Sequence, residues 1–240
     1  MKRALVFLFT VCLLLNFSAC SGQSGATEQL NEVSTGAGSD QKDEPGASTA
    51  IAPVTGFRYF RSNDIDVQFQ YPVRWVEVNA ENIDDGLIAS RVSENFGLNI
   101  DKLREQLVDG IYHFYDEANS EYASPAYLAL SRRDSGGFTS ENFATSDIAA
   151  YYKNNMDTSY EELYSGFDWE IQPKMVRYEL VPGILLKFTY LHEEKTIEVL
   201  QFMTVVGRSI CTFCYTSVGS VIDDELTTQL EQVFGTIETI

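Results

Sequence analysis

The chain has 240 residues, 44% of them hydrophobic, with 17 Lys and Arg against 35 Asp and Glu and a net charge of −18. So acidic a chain is a poor partner for nucleic acid or bare anionic lipid, both of which are held by clustered positive charge. Only two histidines and four cysteines are available. That leaves little from which to build a metal centre or an activated nucleophile, and no cofactor is expected.

Met1-Lys2-Arg3, an apolar run from Ala4 to Leu15 and small residues up to Cys20 form the pattern of a secretory signal. The apolar segment is too short to span a bilayer comfortably, so residues 1–19 read as a signal peptide. Phe17-Ser18-Ala19-Cys20 resembles the lipobox of bacterial lipoproteins, in which small residues precede a cysteine that receives diacylglycerol. That resemblance implies lipid attachment at Cys20 and a place on the bacterial cell membrane, facing outside the cytoplasm. Phe17 departs from the aliphatic residue usual at its position, and ordinary cleavage near Ala19 or Ser21 is the alternative. Each buried methylene contributes about 0.8 kcal/mol, so two acyl chains hold stably where one holds marginally.

Residues 20–54 follow as the attachment cysteine and a tether rich in Ser, Gly, Thr, Ala and acidic residues. Such a composition cannot bury enough apolar surface to offset chain entropy, and disorder is expected. About thirty flexible residues reach roughly 30 Å on average. Residues 55–240 form the folded part, long enough for one sizeable core.

Within it, Phe57 to Arg61 and Ile65 to Tyr71 alternate apolar and polar residues and read as an opening hairpin. Pro72 stops the second strand, and Trp75, Val76 and Val78 begin a short segment folding back. From Asn99, a suitable N-cap, the spacing of Ile100, Leu103, Leu107, Ile111 and Phe114 predicts one amphipathic helix. Ala126 to Arg132 reads as a strand and Asp134 to Gly137 as a loop. A second helix is predicted from Ser146, with Ile148, Tyr152, Met156, Tyr160 and Leu163 on one face and Gly166 near its end.

Four consecutive strands follow: Trp169 to Met175, Ile184 to Leu191, Thr196 to Val206 and Ser209 to Ser217. His192-Glu193-Glu194-Lys195 makes one turn and Gly207-Arg208 a tight hairpin, which implies antiparallel pairing. Leu200, Phe202, Met203 and Val205 place apolar groups on both faces of their strand, so the sheet centre is covered on both sides. A last helix carries Ile222, Leu226, Leu230 and Val233, with Ser220 and Asp223 as a capping box and Gly235 at its end. Thr236 to Ile240 closes the sheet as an edge strand. The sum is an α+β domain, an antiparallel β-sheet with helices packed on it.

Phe69-Gln70-Tyr71-Pro72 with Trp75, the late long strands, and a final helix entering Phe234-Gly235-Thr236-Ile237 resemble the PsbP-like domain. That α/β/α sandwich occurs in PsbP and in DcrB-type and other bacterial lipoproteins. The resemblance implies an accessory or binding protein rather than a catalyst, and it transfers no ligand residues.

Cys211 and Cys214 have C-x-x-C spacing but fall in a predicted strand, where residues three apart point to opposite faces. They are expected to be buried structural thiols, not a redox or metal pair. On a continuous helix Asp109, His113, Asp116 and Glu117 would share one face. They are the candidate residues for a divalent cation, against the simpler reading of a solvated face, which is preferred. His192 to Lys195 lacks the second histidine of a zincin, and Gly207-Arg208-Ser209-Ile210-Cys211 lacks the final Gly of a nucleophile elbow.

Tyrosine is abundant, at positions 112, 115, 122 and 127 and again at 151, 152, 160 and 164. Tyr152 and Tyr160 have core spacing, which leaves Tyr151 and Tyr164 as candidate contact residues. The expectation is therefore a non-enzymatic, membrane-anchored lipoprotein presenting its domain to a protein partner. The alternatives are a small-ligand or divalent-metal carrier, and a hydrolase whose site is assembled only in the fold.

Overall fold

A computed structural model describes residues 51–107, 111–179 and 181–240. Cys20, the signal peptide and most of the tether lie outside the described residues, as does Asp109. The strands are β1 (Phe57–Ser62), β2 (Val67–Pro72), β3 (Trp75–Asn79), β4 (Tyr112–Glu121), β5 (Ser124–Asp134), β6 (Asp168–Tyr178), β7 (Val181–His192), β8 (Lys195–Val206), β9 (Ser209–Val218) and β10 (Glu238–Thr239). The helices are α1 (Gly86–Phe96), α2 (Ile100–Gln106), α3 (Ser140–Phe143), α4 (Ser146–Leu163) and α5 (Asp224–Gly235).

The fold is α+β, with antiparallel sheets and helices packed on them. β1, β2 and β10 make a separate three-stranded sheet, and the other seven strands form one sheet in the order β3-β4-β5-β9-β8-β7-β6. The single sheet expected from sequence is thus two. Every residue of β9 is buried, as are ten of the twelve in β8. Strands of this kind need cover on both faces.

On one face Leu200, Phe202, Phe213 and Tyr215 pack under the small sheet and the Leu226, Leu230, Val233 and Phe234 stripe of α5. The opposite face is covered by two separate groups. α3 and α4 lie over β7, β8 and β9 through Phe143, Tyr152, Met156 and Tyr160. α1 and α2 lie over β3, β4 and β5 through Val92, Phe96 and Leu103, against Tyr115, Tyr127 and Ala129.

Several sequence expectations change. The helix predicted through Phe114 ends at Gln106, and β4 begins at Tyr112. β4 alternates Phe114 toward the small sheet with Tyr115 toward α1. A strand buried on both sides has no polar face, so apolar residues turn up at helical spacings by default. The shared helix face that would have made His113, Asp116 and Glu117 candidates for a cation, or a solvated face, therefore does not exist. α1 was not predicted: it buries only Val92 and Phe96 and exposes Leu87, though Asp85 caps its start and Gly97 its end. Leu163 is 58% exposed and leaves the stripe of α4. Asp223 itself is the N-cap of α5, accepting from the Leu226 N–H at 2.8 Å, in place of a Ser220 box.

The entry to α5 is held from inside the sheet. Buried Glu198 accepts from the Ile222 N–H at 2.7 Å and buried Lys187 donates to the Ile222 carbonyl at 2.9 Å. The two side chains lie 3.5 Å apart, so each charge is paired as well as hydrogen-bonded, the condition for burying it at tolerable cost.

Gly183 in β7 sits where a Cβ would lie 2.3 Å from the Phe202 ring and 2.4 Å from the Met203 carbonyl oxygen. The second contact is backbone and cannot swing aside. Gly183→Ala should lower stability by about 1–3 kcal/mol, read as a lower urea midpoint at unchanged slope.

Candidate functional site

At the end of the large sheet where β4 meets β5 and β7 meets β8, the helical layer stops short and leaves a cavity of about 320 Å³. Its walls come from three places: Leu98, Asn99 and Leu103 at the α1–α2 junction, Tyr122 to Pro125 at the β4–β5 tip, and His192, Glu193 and Lys195 at the β7–β8 turn. Tyr115, Tyr127 and Val218, side chains of β4, β5 and β9, complete the lining.

Local chemistry explains each wall. Gly97 ends α1 at φ +64, in the left-handed region that glycine enters without penalty. A Cβ there would lie 2.8 Å from the Tyr122 ring, so glycine also gives that ring its seat. The hairpin tip is fastened to α1 by the Ala123 N–H, which donates to the Phe96 carbonyl at 2.9 Å.

Upstream, the β4–β5 register shifts between Asp116 and Glu121. The irregularity is filled locally: the Asp116 carboxylate accepts from Ala118 N–H and the Asn119 amide, and Ser120 Oγ takes the Ala126 N–H at 2.9 Å. Across the cavity, Lys195 Nζ donates to Ser124 Oγ at 2.7 Å and ties the two turns together. Ala123, Glu193 and Glu194 all have positive φ, and none is glycine. Such conformations cost of order 1 kcal/mol each and cluster at functional sites.

The floor is aromatic and its rings are nearly fully buried. Tyr115 and Tyr127 are 1% and 2% exposed, their rings 5.4 Å apart, with His113 beside both. Burial raises the Tyr115 hydroxyl well above the ordinary tyrosine range, so it is a neutral hydrogen-bonding group at any working pH. Burial also pushes the His113 imidazole down to about 3, which removes it as a proton carrier near neutrality.

Of the sequence candidates, His113, Asp116 and Glu117 lie on β4 and are dispersed. His113 is buried with its Nδ1 3.3 Å from the Tyr115 hydroxyl, Asp116 is buried with Tyr215 donating to it at 3.1 Å, and Glu117 pairs with Arg91 at 2.6 Å. Among the described residues no group of three His, Cys, Asp or Glu is placed to hold a metal. Tyr151 is 42% exposed on α4, and Tyr164 packs on Tyr190 at 4.6 Å; neither lines the cavity. Cys211 and Cys214 are both buried and unbridged, on opposite faces as expected. Burial pushes the Cys211 thiol up to about 12, far from a nucleophile's range.

Ser124 and Lys195, 71 residues apart, are the one hydroxyl–amine contact at the cavity that resembles a nucleophile with a base. A lysine that serves as base has been desolvated, whereas Lys195 is exposed. The pair therefore acts as a brace and as a fixed positive charge. The residues that sequence reasoning missed are Leu98, Leu103, Ser124 and Lys195. The tyrosine run from Tyr112 to Tyr127 was the visible signal, but only strand parity reveals which members face the cavity.

No protein-family model matches the chain, and no curated protein matches it. Among solved structures it is similar to a protein of Bacteroides thetaiotaomicron, with 13% identity and a TM-score of 0.44 over 77% of this chain and 49% of that one. The chain thus spans about half the length of that protein. It is also similar to cyanobacterial PsbP (CyanoP) of Synechocystis sp. PCC 6803, with 11% identity and a TM-score of 0.48 over 82% of this chain and 100% of that one. LpqN of Mycobacterium tuberculosis, described as involved in cell envelope biogenesis, gives 12% identity and a TM-score of 0.37 over 55% and 80% of the two chains. These likenesses are of outline. The architecture and the cavity stand on the geometry of this chain.

The buried imidazole has a consequence for stability. In the unfolded chain His113 takes a proton near pH 6.5, and in the folded chain only near 3. Its contribution is therefore complete above pH 6.5 and is lost as pH falls toward 3, with a slope of about 1.4 kcal/mol per pH unit at most. Urea unfolding between pH 7.5 and 4.5 should show His113→Leu taking up about one proton fewer on unfolding than the natural chain. Equal slopes would contradict the assignment.

Proposed function

We propose that this chain is a binding protein of the extracytoplasmic face, tethered through lipid at Cys20, which works by recognition rather than catalysis. Its recognition site is the tyrosine-floored cavity. The observation that carries this reading is the cavity itself: three separate chain segments, braced by the Lys195–Ser124 hydrogen bond, enclose a volume at the lower end of the range of about 300–1,000 Å³ used by small-molecule sites. His113 and Cys211 are withdrawn from proton transfer and nucleophilic attack by burial.

The polarity of the domain supports the tethered reading. The Ile51 N–H donates to Glu238 of β10 at 2.6 Å, and β10 lies beside the β8–β9 turn, where Gly207 approaches Thr239. The cavity is at the other end of β8, whose 12 residues span roughly 35–40 Å. Ile51, where the tether joins the domain, and the cavity thus lie at opposite ends of the domain. Among the described residues no helix is long and apolar enough to cross a membrane. The accessory role implied by the resemblance to PsbP-like lipoproteins fits the same picture, with the cavity in place of a flat protein-docking face as the point of contact.

Methyl-resolved NMR of the full chain against a fragment library tests the site. Fragments should perturb the Leu98, Leu103 and Val218 methyls first. Leu98→Trp and Val218→Phe fill the cavity from different segments, and each should weaken those fragments at least tenfold with the remaining spectrum preserved. Fragments that perturb other regions and bind both variants unchanged would place recognition elsewhere.

A further inference from the structure

The charge arrangement at the cavity narrows what it can take. Lys195 is held at the wall by Ser124 Oγ at 2.7 Å, which uses one of the three donors of its ammonium. Among the described residues no carboxylate comes within 4 Å of that ammonium, although the chain has twice as many acidic as basic residues. Arg91, Arg104, Lys153 and Lys187 are paired within 3 Å and Arg74 at 3.9 Å, whereas Lys195, like Arg61 and Lys102, has no carboxylate within 4 Å; of the unpaired ones Lys195 is the one that lines the cavity. Lys195 thus keeps two donors and its full charge beside a cavity floored by Tyr115 and Tyr127.

We infer that the cavity takes a small organic anion, an aromatic or branched aliphatic body carrying one carboxylate, with the carboxylate on Lys195 and the body against Tyr115 and Tyr127. This rests on the cavity being the recognition site. The body follows from the walls: the floor is two nearly unexposed rings, and Leu98, Leu103, Tyr122, Pro125 and Val218 add further apolar surface. The size follows from 320 Å³, which suits one ring with a short chain and not a long acyl chain or a peptide.

The sign of the charge follows from which charged group is fixed. A cation would be drawn by the net charge of −18, but that field is screened beyond about 8–10 Å in physiological salt. Glu193 and Lys195 both line the cavity and both are exposed. Lys195 is held in place by its hydrogen bond to buried Ser124, so it is the charge a ligand meets in a defined position. A charge-assisted hydrogen bond is roughly twice as strong as a neutral one, so an acid should outbind its amide.

The probes are 4-phenylbutyrate, its neutral amide 4-phenylbutanamide and the cationic 4-phenylbutylamine, titrated into the full chain in a zwitterionic detergent and read by methyl NMR. The butyrate should bind about tenfold tighter than either analogue, a difference of 1.4 kcal/mol. Lys195→Met keeps the apolar stem and should bring the butyrate down to the level of the amide while leaving the amide unchanged. Leu98→Trp should remove all three. Equal affinities in the natural chain, or a butyrate indifferent to Lys195→Met, would overturn the anion while leaving the cavity as a site. Probes that bind the Leu98→Trp variant unchanged would overturn the site and the anion together.

Discussion

The constraint on which the structure depends is that β8 and β9 are buried along both faces. Such strands cannot form the surface of anything, and the remainder of the chain is organised as cover for them. On one side a single layer suffices, because α5 and the three-stranded sheet together make one continuous apolar surface over Phe202, Phe213 and Tyr215. On the other, α4 serves one half of the sheet and the α1–α2 pair the other. The cavity lies where the second of these runs out, between the end of α2 and the last residues of β9. It is a product of incomplete cover at one pole.

What keeps the gap from collapsing is a set of local costs accepted around its rim. Ala123, Glu193 and Glu194 adopt left-handed conformations that Gly or Asn would take more cheaply. Tyr122, 72% exposed, lies over Gly97 in place of folding into the space beside it. Lys195 and Ser124 cross-brace two turns that otherwise share no strand. A fold selected for stability alone would have filled this volume with a larger side chain from α2 or the hairpin tip, because an unfilled apolar space costs stability in proportion to its size. Positive φ occurs at Asp66 and Glu179 as well, so it is the coincidence of open space with a braced rim that sets this pole apart.

The sequence made the scaffold legible where one face of an element is polar. α4 and α5 show their stripes, the β8–β9 hairpin shows its Gly207 turn, and the opening hairpin shows its alternation, since in each case solvent contact leaves a pattern. The pattern fails where solvent is absent. β4 is apolar toward both layers, so its residues satisfied a helical period by accident, and that error carried His113, Asp116 and Glu117 into an imagined cation face. α1 erred the other way: two buried residues in eleven are too few for periodicity, and only its caps at Asp85 and Gly97 announced it. The cavity was the least legible part, because it depends on which of four neighbouring tyrosines face α1 and on a contact between Ser124 and Lys195 across 71 residues. The burial of Cys211 and Cys214 on opposite faces was legible for a physical reason, since strand parity alone separates them.

The central claim is that the space beside Tyr115 and Tyr127 is occupied in the working protein. Native mass spectrometry of the full chain, released in detergent from the cells that make it, tests this without choosing a ligand in advance. The account predicts one small-molecule companion per chain, present on the natural protein and absent from Leu98→Trp isolated in parallel. The same companion on both proteins, at the same stoichiometry, would contradict it.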